Sequence, residues 1–295
     1  MLKQTMFAAA LMLGTAAEPA LAQTATQQAS ATMQMDHISV QAIGAGDPII
    51  LIPGLSTPRN VWDGVAPDLA KSHRVYLVQV NGFGGGDPGA NLKPGILDGV
   101  VADLATFIRD HKLEKPAMVG HSMGGLAALM FAKAHPDQVS RVMVVDALPF
   151  IGALFVPGST VDTIEPLAVQ MRDRMRTKQT SQSAEATART MAVKAGSRAQ
   201  VAQWVLAADP RVASEAMYED MTTDLRGDMA TIETPITLVY PHNEYVPLAR
   251  ADPLYRGQYQ GVANMQFVPV GDSGHFVMLD QPEAFARALN EFLAD

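Results

Sequence analysis

Cysteine is absent from the 295-residue chain. Disulfides, thiol nucleophiles and cysteine-ligated zinc are therefore excluded. Charge is sparse too. Only 18% of residues are charged, and 22 Lys and Arg stand against 30 Asp and Glu, for a net charge of −8. Nucleic acid is bound through basic patches, so no nucleic-acid partner is expected. The apolar run Met6–Leu13 is too short to span a bilayer comfortably. No spacing of histidines and carboxylates suggests a metal site, and no cofactor motif stands out. The glycine-rich stretch Gly82-Phe-Gly-Gly-Gly86 lacks the Lys-Ser/Thr of a phosphate-binding loop and opens no helix directly. What remains is ordinary: 48% of the residues are hydrophobic, enough for a sizeable core. One α/β domain with an insertion fits better than two equal domains.

The first residues read as an export signal. Lys3 supplies a positive start, Met6–Leu13 the apolar segment, and Ala20-Leu21-Ala22 a small-residue cleavage pattern. Cleavage after Ala22 would leave Gln23 first and place the protein in the periplasm or outside the cell. No cysteine follows the site to carry a lipid, so no stable membrane anchor is expected. Residues 23–35, rich in Gln, Thr and Ala, are expected to form a mobile arm.

Beyond the arm, strand and helix signals alternate. Strands are predicted at residues 37–42, 48–52, 74–80, 115–119, 141–146, 235–240 and 265–269. Several are continuous apolar runs, as expected for strands covered on both faces. A helix is predicted from Val61 to Lys71, with Trp62, Val65 and Leu69 on one face. Further helices run over residues 96–111 and 282–293. Between residues 148 and 228 strand signals stop and the spacing of Ile164, Leu167, Met171 and Met175 is helical. That block reads as an insertion, with its methionines (Met171, Met175, Met191, Met217 and Met221) filling its own core. Trp62 is expected to pack its helix on the sheet, and Trp204 to serve either the insertion's core or a pocket wall.

One pentapeptide carries chemistry. Gly120-His121-Ser122-Met123-Gly124 matches G-x-S-x-G, and it lies between a predicted strand and a predicted helix, the context that gives this motif meaning. The serine must sit on a sharp, strained turn for its hydroxyl to stand clear. Side chains at Gly120 and Gly124 would strike the adjoining elements. A serine hydroxyl is a weak nucleophile until a base takes its proton. Of the seven histidines, His275 is the candidate. It lies in Gly271-Asp-Ser-Gly-His-Phe276, in the loop after the last predicted strand.

Leu51-Ile-Pro-Gly-Leu55, Asn81-Gly-Phe-Gly84, the Ser122 pentapeptide, Arg141-Val-Met-Val-Val-Asp146 and Gly274-His-Phe276 together resemble the α/β-hydrolase superfamily. The likeness is to its capped esterase, lactonase and haloalkane-dehalogenase-like branch, and it covers residues 36–147 and 229–295. It implies a mostly parallel eight-stranded sheet with helices on both faces. It also implies a helical cap, residues 148–228, inserted after the sixth strand and selecting a small, largely apolar substrate. It implies a serine esterase or lactonase with Ser122 as nucleophile, His275 as base and no cofactor. The backbone N–H groups of Leu55 and Met123 would form the oxyanion hole. Pro53 precedes Gly54 where most relatives have histidine. The acid departs from the pattern, because the usual slot before Val246-Pro247 holds Asn243, with Glu244 beside it. A second placement known in the dehalogenase-like branch falls on Asp146, which ranks first, then Glu244, then Asn243. Cofactor-free haloperoxidase-like or carbon–carbon bond hydrolysis, and a degenerate small-ligand binder, are the alternatives. Oligomeric state is not legible.

Overall fold

The apolar runs become the middle of one sheet. In the computed structural model, which describes residues 32–294, the strands are β1 (Met33–Gln34), β2 (Ile38–Gly44), β3 (Asp47–Ile52), β4 (His73–Val80), β5 (Ala117–His121), β6 (Val142–Val145), β7 (Ile236–Pro241) and β8 (Met265–Val270). They lie in the order β1-β2-β4-β3-β5-β6-β7-β8. The β1–β2 and β2–β4 pairs are antiparallel. From β4 to β8 every pair is parallel.

Every residue of β5 and β6 is buried, because helices cover both faces. Strand alternation divides the side chains between two layers. Ile50 and Ile52 join one apolar cluster with α2 (Ile96–Asp110), α3 (Met123–Ala134) and α9 (Leu248–Gln258). Ile49 and Leu51 join the other, with α1 (Ala66–Leu69) and α11 (Pro282–Ala294). Trp62 is fully buried in that second layer and stacks on Phe285 of α11, ring centroids 6.1 Å apart.

Between β6 and β7 lie α4 (Gly152–Phe155), α5 (Val161–Met175), α6 (Ser181–Met191), α7 (Ala195–Ala207) and α8 (Pro210–Thr222). Phe150, Ile164, Ala168 and Met221 form a small core there, with Met171 and Met217 packed against it. Polar contacts dock this block. The Asp209 N–H donates to the Gly82 carbonyl at 2.7 Å. Gly82 has φ 93°, and a Cβ there would meet Val212 of α8 at 2.7 Å. The Glu219 carboxylate accepts from the N–H groups of Gly95, Ile96 and Leu97 at 2.6, 3.0 and 2.8 Å. Gly95 brings no capping side chain to α2, so a residue of α8 satisfies its orphan donors.

Two expectations need correction. Residues 33 and 34, the end of the expected arm, pair with β2 as a short edge strand. The helix predicted over residues 61–71 is instead a 3-10 turn, Arg59–Trp62, followed by the short α1. Pro67 has no N–H to continue a helical ladder, and Gly64 weakens the turn before it. Trp62, Val65 and Leu69 are buried nonetheless. The expected signal segment and its cleavage site lie outside the described residues. Among the described residues no helix is long and apolar enough to cross a membrane.

Candidate active site

β5 leads through His121 into Ser122, which has φ 55° and ψ −127°, and α3 starts at the next residue. A non-glycine residue held there carries about 1–3 kcal/mol of strain. The surroundings fix it. The Ser122 N–H donates to the Val145 carbonyl at 2.9 Å, and the Ser122 carbonyl accepts from Gly125 and Leu126 at 2.7 and 3.1 Å. A Cβ on Gly120 would collide with the Gly124 carbonyl, and one on Gly124 would come within 2.5 Å of the Ile52 and Pro53 carbonyl oxygens.

The adjacent strand ends in the same way. Asp146 follows β6 with φ 48°, and its N–H donates to Val239 of β7 at 2.8 Å. In the parallel register His121 lies opposite Val145. The next residues, Ser122 and Asp146, thus leave the sheet side by side at the carboxyl ends of neighbouring strands, where open α/β sheets place their sites.

His275 comes from the loop after β8. Its Nδ1 is 2.6 Å from Asp146 Oδ2. The other carboxylate oxygen, Oδ1, accepts from the Tyr255 hydroxyl of α9. Burial, with the Asp146 charge adding to it, pushes the Tyr255 phenol well above the usual tyrosine range, so it stays a donor. One turn further on, Tyr259 donates to the Ala147 carbonyl at 2.9 Å. The other two acid candidates are elsewhere. Glu244 is exposed. The Asn243 amide donates to the Ser273 carbonyl at 2.8 Å and accepts from the Tyr245 and Val246 N–H groups at 2.9 and 3.0 Å.

His121 is fully buried, with Nε2 3.0 Å from the His275 carbonyl oxygen. Burial, reinforced by neighbouring His275, holds its pKa well below the usual value. The ring is therefore neutral. A carbonyl only accepts, so Nε2 carries the proton, and Nδ1 has no partner among the described residues. The loop after β3 lies against this ring. A Cβ on Gly54 would sit 2.9 Å from both His121 Nδ1 and Ser122 Cβ. The N–H groups of Leu55 and Met123 donate to nothing among the described residues; Met123 opens α3, where no intrahelical acceptor exists.

Sequence reasoning missed the carboxylate that holds the histidine loop. Asp280, in the short α10 (Val277–Asp280), is fully buried. It accepts from Gly274 at 2.9 Å, and from Val193 and Lys194, between α6 and α7, at 2.8 and 3.0 Å. Trp204 of α7 packs near Phe276, ring centroids 5.9 Å apart. The intervening helices are thereby tied to the loop bearing His275. Among the described residues no group of His, Asp and Glu could hold a metal ion.

A sheet of this order, a strained serine between strand and helix, and a histidine bonded to a strand-end aspartate define a class. The chain belongs to the family described as alpha/beta hydrolase fold, whose sequence model matches residues 47–282. Within it, the likenesses include esterases and a lactonase. The chain is 26% identical over 264 residues to a pimeloyl-[acyl-carrier protein] methyl ester esterase of Edwardsiella ictaluri, covering 84% of this chain and 94% of that protein. It is 27% identical over 266 residues to a 2-hydroxy-6-oxo-2,4-heptadienoate hydrolase of Pseudomonas putida, covering 85% and 91%. In fold it is similar to the enol-lactonase from Burkholderia xenovorans LB400, with a TM-score of 0.72 at 19% identity, over 88% of this chain and 96% of that one.

Proposed function

We propose that this protein is an exported serine hydrolase that cleaves a small, largely apolar carboxylic ester or lactone. The observation that carries the reading is the 2.6 Å contact between His275 Nδ1 and Asp146 Oδ2, beside a serine held at φ 55°. Asp146 keeps the His275 proton on Nδ1, which leaves Nε2 as the base. Nε2 takes the Ser122 proton as Oγ attacks the carbonyl carbon. The carbonyl oxygen becomes an oxyanion, which the Leu55 and Met123 N–H groups receive. Collapse expels the alcohol, to which Nε2 passes the proton. Water, deprotonated by the same nitrogen, then attacks the acyl-enzyme. The acid leaves and Ser122 recovers its proton. Residues 148–228 act as a cap over the site, and no cofactor enters the scheme. Export rests on Lys3, the apolar run and Ala20-Leu-Ala22. Mass spectrometry of protein from the periplasm or medium should find Gln23 first, and an intact Met1 in membranes would refute it.

The test of the hydrolase reading is short p-nitrophenyl esters. Hydrolysis should be blocked by a serine-reactive fluorophosphonate, and Ser122→Ala should lower turnover by several orders of magnitude without unfolding the protein. A variant that keeps most of its activity would remove Ser122 from the mechanism. A second reading, carbon–carbon bond hydrolysis, draws on the likeness to the 2-hydroxy-6-oxo-2,4-heptadienoate hydrolase. Cleavage of such a keto acid without ester turnover would favour it.

A further inference from the structure

One buried acid has no part in the steps above. Asp220 of α8 is 4% exposed. Among the described residues its carboxyl has no hydrogen-bond or ion-pair partner. The neighbouring acids of the same helix are engaged: Glu215 faces Arg176 at 3.5 Å and Arg172 at 4.0 Å, and Glu219 caps α2.

Position adds a direction. Asp220 lies one turn beyond Ala216 and two beyond Val212, so helical spacing puts it on the inward face of α8. Ala216 is fully buried, and Val212 rests on the Gly82 turn. Just past α8, the Leu225 N–H donates to the Pro149 carbonyl at 2.9 Å, which returns the chain to the segment that follows Asp146. His275 lies close enough to act on the Asp220 carboxyl electrostatically, and no lysine or arginine does so. Burial raises the pKa of this carboxyl to about 7, against the pull of His275.

A buried carboxyl with no hydrogen-bond donor and no lysine or arginine beside it is costly to keep, and among the described residues no hydrogen bond engages it. The missing partner can come from the substrate. A second carboxylate would repel it or force one of the pair to hold a proton. An alkyl chain would leave it unsatisfied. A protonated amine supplies both charge and donors. We propose that Asp220 is a specificity-determining residue that receives an ammonium group of the substrate, so that esters bearing a protonated amine are favoured and esters bearing a carboxylate are rejected. This rests on the reading of Ser122 and His275 as an ester-cleaving pair.

The test compares wild type with Asp220→Asn on p-nitrophenyl esters of matched length: ω-amino acyl, unbranched alkanoyl and ω-carboxy acyl, each over a range of chain lengths. Wild type should prefer the amino ester of best length over its alkanoyl match by about tenfold or more in kcat/KM, with the carboxy esters slowest. The variant should lose that preference and cleave alkanoyl esters within about threefold of wild type. Equal amino and alkanoyl rates in wild type at every length would overturn the proposal. So would a preference that survives in the variant, or a uniform slowing of all esters. If wild type cleaves no ester, the hydrolase reading fails by itself and binding decides. n-Hexylammonium chloride should then raise the Tm of wild type and not of Asp220→Asn, while n-hexanol raises neither. Equal shifts in both proteins, or none, would overturn the assignment.

Discussion

Replacing Asp280 with asparagine should both destabilise the protein and slow it. The carboxylate is fully buried and takes three backbone donors, two on Oδ2 and one on Oδ1. An asparagine oxygen at the Oδ2 position would keep Val193 and Gly274, but as neutral bonds. Its NH2 would then point at the Lys194 N–H, donor against donor. A hydrogen bond to a charged group contributes about 1.5–3 kcal/mol and a neutral one about 1, so two weakened bonds cost about 2 kcal/mol. One buried donor left without an acceptor adds about 1–3 kcal/mol. The sum is about 3–5 kcal/mol, or a fall in Tm of about 6–20 °C for a chain of this size. Gly274 precedes His275, and a Cβ on it would lie 2.7 Å from the Met191 carbonyl, so the same loss should loosen the histidine loop. Turnover at a temperature where the variant is still folded should fall about tenfold or more. Thermal denaturation followed by circular dichroism, with p-nitrophenyl ester kinetics alongside, reads both. Asp68→Asn is the control, since its ion pair with Lys71 is exposed and should move stability by less than about 1 kcal/mol. An Asp280→Asn protein that melts with the Asp68→Asn control would refute the reasoning.

Other expectations concern the acids and the tyrosine. Asp146→Asn should lower turnover by about four orders of magnitude, whereas Glu244→Gln should be nearly silent; the reverse ranking would return the acid to the loop after β7. Tyr255→Phe leaves one oxygen of the Asp146 carboxylate without its donor, so kcat should fall about tenfold with KM little changed, and an unchanged kcat would make Tyr255 mere packing. Asp220 predicts a pH dependence of stability. Burial raises its folded pKa to about 7, above the ordinary carboxylate value of 3.8, so the folded state holds a proton that the unfolded chain gives up across that range. Its contribution is complete below about pH 4 and is lost as pH rises to about 7. Relative to wild type, Asp220→Asn should gain up to about 4 kcal/mol by pH 8, from about three units at 1.36 kcal/mol each, and nothing near pH 4. Urea midpoints that differ equally at both pH values would contradict this.

The local parts of the site were legible because they are written in short stretches of chain. The Ser122 turn needs glycines two residues to either side: a Cβ on Gly120 would strike backbone of the same turn, and one on Gly124 the carbonyls of Ile52 and Pro53 at the end of β3. The buried strands were legible because continuous apolar runs have few other homes. Tertiary partners were not. Tyr255 is 109 residues from Asp146, Glu219 is 124 from Gly95, and Asp280 is 87 from Val193. No periodicity links such pairs. Helix breaks were under-read for another reason: the apolar face of Trp62, Val65 and Leu69 survives in the structure, so the pattern looked continuous while Pro67 interrupted the ladder. The edge strand Met33–Gln34 has too few residues to show any period at all.

The asparagine in the usual acid slot has a physical logic of its own. Asn243 holds two adjoining loops at once, giving a proton to the Ser273 carbonyl and taking two from Tyr245 and Val246. An amide can do both, whereas an ionised carboxylate accepts and never donates. A carboxylate at 243 would face the Ser273 carbonyl oxygen with like partial charge, two residues before His275. The slot can therefore brace the histidine loop or supply a charge, not both. Asp146 already stands level with Ser122 on the next strand, with Tyr255 on one oxygen and His275 on the other. Placing the charge at a strand end also anchors it better than a loop would, because its N–H is bonded to β7. Asn243 and Asp146 are thus two halves of one arrangement, one bonded to the loop that carries His275 and the other to its imidazole Nδ1.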